Sequence, residues 1–314
     1  MRLTLATLLA LSLAACGSPD AELTTAEPEV VEAAPDNTAA IRAAVDAQPD
    51  SIKARYDARH PAETLSFIGI RPGMTVVDAL PGSEGKGWYT GILARTLGED
   101  GKLIGVDYSL DMWPEFGGFA NAEFIAGKEN WANEWVAGAQ ARAEAGDFGE
   151  GAPDFAATTF GGANGQYAGA ADAVLFMRAL HNLARFQNGG GEVGNGGYLD
   201  EALSETYAML KPGGIVGVVQ HRAPEGEDDG WADGSNGYLK QSFVVDAFED
   251  AGFELVRESE VNANPRDVPV AENGDSVWRL PPSLATSRED AELKAAMEAV
   301  GESDRMTLVF RKPE

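Results

Sequence analysis

The sequence predicts an α/β fold: a doubly wound, mostly parallel sheet of seven strands, preceded by N-terminal helices. Two observations carry this reading. Short apolar runs alternate with amphipathic stretches of ten or more residues, and glycine or proline turns separate the two kinds of segment. With 44% apolar and 24% charged residues, a chain of 314 residues can bury a sizeable core.

Helical spacing begins at Asn37, where Ile41, Val45 and Ile52 sit among alanines and charges and Pro49-Asp50-Ser51 breaks the run. Asp50 or Ser51 serves as the cap of a second helix, which Arg55 to Pro61 ends. Glu63 to Ile70 is a further helical stretch, followed by Arg71-Pro72-Gly73 as a turn. Met74 to Leu80 reads as the first buried strand, Trp88 to Leu97 as a helix, and Lys102 to Asp107 as the second strand. Glu129 to Ala145 has helical spacing, and Asp154 to Phe160 and Ala171 to Met177 are strands three and four. Leu199 to Leu210 is an amphipathic helix stopped by Lys211-Pro212-Gly213-Gly214, ahead of a fifth strand at Ile215 to Gln220. A helix over Tyr238 to Ala251 and strands at Phe253 to Val261 and Met306 to Arg311 complete the pattern. Right-handed crossovers then gather the loops after the parallel strands along one edge, where such sheets bind ligands.

Three segments interrupt this core. Residues 189–197 hold six glycines in nine positions, 161–170 are rich in glycine and alanine, and 225–235 hold five acidic residues with three glycines. All read as solvated loops; the last has carboxylates for calcium but lacks the full ligand spacing.

The N-terminus is a different kind of segment. Arg2 precedes thirteen uncharged residues, Leu3 to Ala15, and then Cys16-Gly17-Ser18, the arrangement of a secretory signal peptide. Leu13-Ala14-Ala15-Cys16 resembles the lipobox of bacterial lipoproteins, which implies cleavage before Cys16 and acylation of that residue. Several acyl chains on one residue make a stable anchor. Residues 16–36 carry six acidic groups, no basic ones and three prolines, so they read as an acidic, flexible tether to a domain at 37–314. The expected location is the cell envelope, at the outer membrane or the periplasmic face, and Gly17 after the cysteine points to the former.

Charge narrows the partners. The 50 acidic side chains against 24 basic ones leave a formal charge of −26, which repels nucleic acid. A single cysteine excludes an intramolecular disulfide and a cysteine-cluster zinc site. No stretch reaches the ~20 apolar residues of a spanning helix, so membrane contact is expected through the lipid alone.

After the first strand comes Pro81-Gly82-Ser83-Glu84-Gly85-Lys86-Gly87 and then a helix. A glycine loop in that place brings backbone N–H groups and a helix N-terminus to a ligand. Asp107 ends the second strand, where an acid can accept hydrogen bonds from ribose hydroxyls. A tight turn with Asp107 as a cap is the plainer alternative.

Here the sequence resembles a family. Pro72-Gly73-Met74-Thr75-Val76-Val77-Asp78, the glycine loop and Gly105-Val106-Asp107 are similar to the class I S-adenosylmethionine-dependent methyltransferases, whose Rossmann-like sheet ends in a strand hairpin. Lys211-Pro212-Gly213-Gly214 matches the approach to their fifth strand. Gly87-Trp88-Tyr89-Thr90, Arg178-Ala179-Leu180-His181-Asn182, His221-Arg222-Ala223 and Phe310-Arg311-Lys312-Pro313 resemble a poorly characterised bacterial branch of them. The likeness spans roughly residues 55–312. It implies S-adenosyl-L-methionine as cofactor, with Asp78, Gly82, Gly85 and Gly87 around its methionine part and Asp107 on its ribose. The loop departs from the family by the interposed Ser83-Glu84 and Lys86, and Leu80-Pro81 stands where Gly-Cys is usual.

The three histidines, His60, His181 and His221, each fall at the end of an element. His181 and His221 follow strands four and five, so both are expected at the ligand edge. Arg178, three residues before His181, shares its face if the segment is helical. An imidazole of ordinary pKa can act as base at neutral pH, so His181 or His221 deprotonates or positions an acceptor while Arg178 or Arg222 holds an anionic group. The same imidazoles could instead hold loops in shape, and no spacing supports a metal site. Trp88 and Tyr89 either wall the pocket or join the core. Two functions stay open: an enzyme methylating a small-molecule substrate, and a non-catalytic envelope lipoprotein that uses the fold for binding or scaffolding. The strand-end acids and histidines favour the first. Export away from the cytosol, where the cofactor is made, favours the second, as do the charges interposed in the loop.

Overall fold

Proline, glycine and left-handed residues punctuate the helices that open the fold. The computed structural model describes residues 37–117, 121–187 and 196–314; Cys16, the signal peptide and the tether lie outside them. Helices α1 (Thr38–Asp46), α2 (Asp50–Lys53), α3 (Tyr56–Arg59) and α4 (Pro61–Ile68) come first. Pro61, expected to end a helix, instead starts α4, because its missing N–H costs nothing at a first helical position. His60 makes the joint between α3 and α4 at φ 38°, and Gly69 stops α4 at φ 97°.

The alternating part then runs β1 (Thr75–Ala79), α5 (Thr90–Leu97), β2 (Lys102–Asp107), α6 (Ala122–Lys128), α7 (Trp131–Glu144) and β3 (Asp154–Thr159). It continues through α8 (Ala163–Tyr167), β4 (Ala171–Met177), α9 (Leu180–Arg185), α10 (Tyr198–Met209) and β5 (Leu210–Ala223). The last elements are β6 (Leu239–Lys240), α11 (Gln241–Asp250), β7 (Glu254–Ser259), α12 (Ala291–Val300) and β8 (Arg305–Arg311). The sheet order is β3-β2-β1-β4-β5-β8-β7. Strands β1 to β5 pair in parallel, and β8 runs antiparallel between β5 and β7. The order reverses between β1 and β4, which opens a crevice at the carboxyl ends of those strands.

Alternation along each strand fills two cores. Val77, Ile104, Val174, Phe176 and Val218 face Leu183, Leu199, Leu203 and Phe248 of the helices on one side. Val76, Leu103, Leu175 and Val309 face Ile41, Leu65, Ile92 and Trp135 on the other. Near-continuous apolar strands are what a sheet covered on both faces requires.

Four expectations are corrected. The sheet has an eighth strand, β6, a two-residue pairing with the end of β5 where helix was expected from Tyr238. Lys211-Pro212-Gly213-Gly214 stops α10 but does not precede β5; it lies inside it, taken up by a register shift opposite β4. The segment 161–170 contains α8. The acidic segment 225–235 is only partly solvated: Ala232 is buried and Trp231 stacks on Tyr238 with ring centroids 5.6 Å apart. Of the glycine segment 189–197, residues 189–195 lie outside the described part. No helix of the described residues is long and apolar enough to cross a membrane.

Candidate functional site

The carboxyl edge of the sheet carries two clusters of functional side chains, one acidic and one basic. The acidic one lies at the ends of β1 and β2. Asp78 is 3% exposed, and no hydrogen bond or ion pair reaches its carboxyl group among the described residues. Burial alone pushes its pKa up to about 7, since nothing nearby stabilises the charge. Leu80 follows in the left-handed region at φ 60°, with its N–H donating to the Val106 carbonyl at 2.7 Å. Left-handed backbone at a non-glycine residue costs energy and clusters at binding sites.

The glycine loop is held against α7. The Trp131 indole donates to the Gly82 carbonyl at 3.1 Å, and Arg142 donates to the Gly85 carbonyl. A Cβ on Gly85 would stand 2.7 Å from the Ala139 backbone, and one on Gly87 would stand 2.1 Å from the Pro81 carbonyl. These two glycines are therefore required by loop packing, whereas Gly82, at φ 87°, has open space beside it. The interposed charges Glu84 and Lys86 pair with each other at the exposed side of the loop.

Asp107 ends β2 as expected and is 6% exposed. It accepts the Tyr108 N–H at 3.0 Å and the Lys128 ammonium at 2.8 Å, and that ammonium also lies 4.0 Å from the Trp113 ring centre. Burial raises its pKa while Lys128 and the Tyr108 N–H pull it back. Asn182 donates to the Tyr108 hydroxyl at 2.8 Å, which ties the segment after β4 to the end of β2. Lys128 carries no sequence signal, because it sits 21 residues after Asp107 on a short helix of its own.

The basic cluster lies at the ends of β4 and β5. Arg178 is not on α9: it follows β4 at φ 61°, its N–H bonded to the Val219 carbonyl at 2.6 Å, and α9 starts at Leu180. The expected shared helical face with His181 is thus replaced by a strained strand end. His181 and His221 do come together, with ring centroids 5.5 Å apart, and Trp278 stands 5.8 Å from His181. Ser303 hydrogen-bonds His221 Nδ1, while the His181 ring is buried beside the Gln220 amide. Burial lowers His181 to about 4, with the Gln220 amide pulling it back up and Arg185 and Arg178 adding repulsion. Burial and then the neighbouring His181 and arginines hold His221 well below its ordinary value. Both imidazoles are neutral at pH 7, so the expected base of ordinary pKa is corrected to a pair of uncharged hydrogen-bonding groups.

One carboxylate that sequence reading missed organises this region. Glu302, its side chain 5% exposed, is approached by Arg59 at 3.0 Å, Arg305 at 3.3 Å, Arg55 at 3.5 Å and Arg178 at 3.9 Å. Arg222, expected to hold an anion, is already paired with Glu260 at 2.6 Å and Asp304 at 2.8 Å. His60 makes the α3–α4 joint and does not line the cavity that Arg178, His181 and His221 share. Trp88 lies 4.6 Å from the Arg59 guanidinium and Tyr89 is buried, so both join the packing around the N-terminal helices. Among the described residues no group of His, Cys, Asp or Glu could hold a metal ion.

No family model matches the chain, and no curated protein does. Solved structures of similar fold include a SAM-dependent methyltransferase from Aquifex aeolicus, 18% identical with a TM-score of 0.42, covering 68% of this chain and 93% of that one. An arsenic(III) S-adenosylmethionine methyltransferase from Chlamydomonas reinhardtii is 17% identical with a TM-score of 0.44, over 88% and 73% of the two chains. The phosphoethanolamine N-methyltransferase 2 of Haemonchus contortus, solved with S-adenosyl-L-methionine, is 15% identical with a TM-score of 0.42, over 80% and 52%. At these identities and TM-scores the likeness carries no argument about activity, which is left to the site.

Proposed function

We propose that this chain is an S-adenosylmethionine-dependent methyltransferase for a small-molecule acceptor, exported and anchored in the cell envelope through a lipidated Cys16. The observation that carries the activity is the buried, unpartnered carboxyl of Asp78 beside an open glycine turn at the strand-order reversal. A carboxyl in that state lacks a cation, and the ammonium of the cofactor's methionine part is one. Asp107 fits ribose hydroxyls once Lys128 gives up its place on the carboxylate. When bound, the cofactor supplies an electrophilic methyl group. The chain's own part is to orient: Asp78 and Asp107 grip the two ends, and the Asn182–Tyr108 hydrogen bond ties the segment after β4 to the end of β2. His181 borders the cavity as a neutral imidazole and at pH 7 carries no positive charge there.

Calorimetric titration of the purified chain with S-adenosylmethionine and S-adenosylhomocysteine tests this. Micromolar binding that is lost when Asp78 and Asp107 are both replaced by alanine is the expected result. Absence of binding at millimolar cofactor overturns the reading.

A second reading rests on the Lys128–Asp107 ion pair and the clamping of the loop by α7. These favour a non-catalytic lipoprotein that keeps the fold for binding. In that case the acidic edge is structural and only the basic cavity takes a ligand.

A further inference from the structure

We propose that the cavity at the ends of β4 and β5 binds the carboxylate of a small organic acid, with Arg178 as its anchor. The cavity measures about 260 Å³ and is walled by Arg178, His181, His221, Trp278, Ser283 and Ser303, with two prolines beside them. Such a volume is at the lower limit of ligand pockets and suits a molecule of roughly ten heavy atoms.

Charge is the first argument. In a chain of formal charge −26, four guanidiniums converge on the single carboxylate of Glu302. The side chains of Arg59 and Arg305 are 5% and 3% exposed and those of Arg178 and Arg55 are 24% and 34%, so part of the excess positive charge lies out of water. Burial and the other two arginines depress Arg178, to about 10, and Arg305 is lowered as well. A bound anion relieves that excess.

Spare bonding capacity is the second. Arg59 contacts both oxygens of Glu302, at 3.2 and 3.0 Å, and Arg305 takes one of them at 3.3 Å. Glu302 is thereby satisfied, even though it reaches the cavity wall. Arg178 touches it only at 3.9 Å and makes no other side-chain bond among the described residues, so its planar fork remains unspent. His181 stands on the same wall as a neutral imidazole, buried beside the Gln220 amide. The φ of 61° at Arg178 holds the side chain at this place at a conformational cost, the pattern of a residue retained for binding.

The number of free groups selects the ligand. One unspent guanidinium and one neutral imidazole match a monoanion with a planar, two-oxygen head. A phosphate dianion needs a second cation, and Arg178 is the one cationic side chain on the cavity wall among the described residues. Trp278, Val277, Pro281 and Pro282 offer apolar surface for the body of the acid. This inference does not rest on the methyltransferase reading, because the cavity is complete without any cofactor.

The test is a calorimetric titration of the full chain, without cofactor, with acetate, hexanoate and benzoate, using benzamide and inorganic phosphate as comparators. At least one carboxylate is expected to bind tenfold or more tightly than benzamide, and more tightly than phosphate. Arg178→Gly is expected to lose that binding by tenfold or more while keeping its circular dichroism and melting temperature, since glycine accepts φ 61° without strain. The inference is overturned if no carboxylate binds, if benzamide or phosphate binds equally well, or if folded R178G keeps the parent's affinity. Loss of cofactor binding elsewhere in the molecule leaves this result untouched.

Discussion

At the ends of β1 and β2 the sheet presents Asp78 and Asp107, and at the ends of β4 and β5 it presents Arg178, His181 and His221. The two groups share one edge but are finished in opposite ways. On the acidic side the protein supplies its own counter-charge, Lys128, and packs the glycine loop against α7. The basic side gathers four arginines on one carboxylate, Glu302, and Arg178 with that carboxylate borders a cavity. The acidic side thus satisfies Asp107 and leaves Asp78 without a partner, while on the basic side Arg178 borders the cavity.

The largest expected effect lies on the basic side. Glu302→Gln removes the carboxylate that all four guanidiniums approach, two of them deeply buried, and should cost about 3–5 kcal/mol of stability in urea unfolding. A loss well under 1 kcal/mol would mean that water already screens the cluster, and the contrast between the two edges would vanish.

The acidic side predicts a pH dependence of definite sign. The Asp78 carboxyl titrates near 7 when folded, against 3.8 for the free group, so the folded state holds a proton that the unfolded state has lost. Its contribution is therefore fully present below pH 4 and is lost as pH rises to 7, at about 1.4 kcal/mol per unit. Asp78→Asn should flatten that slope, as read from unfolding curves between pH 4 and 8. An unchanged slope would place a cation beside Asp78 after all.

Lys128→Met is the smallest and sharpest of the three. Freeing Asp107 should tighten S-adenosylmethionine binding roughly tenfold, about 1.4 kcal/mol, in the same calorimetric titration. Weaker binding would make Lys128 a ligand of the cofactor rather than its competitor, and the two edges would then both be open sites.

Much of the fold was legible because it is written in short-range periodicity. β2 and β4 follow from their apolar runs with no change of boundary, and the ends of α10 are off by one residue. Asp78 and Asp107 could be placed because a strand end is a local feature. The clustering of His181 with His221 was also foreseeable, since parallel strands bring their carboxyl ends together. The Glu302 cluster was not, because Arg59 and Glu302 are 243 residues apart and no local pattern marks either as a partner. Nor was the acidity of the histidines legible, since it depends on burial under Trp278 and on arginines from other elements.

The sequence by itself determined the α/β architecture, the two acids at neighbouring strand ends and the histidines at the same edge. These follow from steric periods of two and 3.6 residues and from turn chemistry, which act over a few residues. The tertiary structure alone decided which of those groups are satisfied. Lys128 reaches Asp107, α7 closes on the glycine loop, and three arginines besides Arg178 gather around Glu302 only when distant segments pack. Charge compensation and desolvation depend on distances through space, and a linear chain does not contain those distances until it folds.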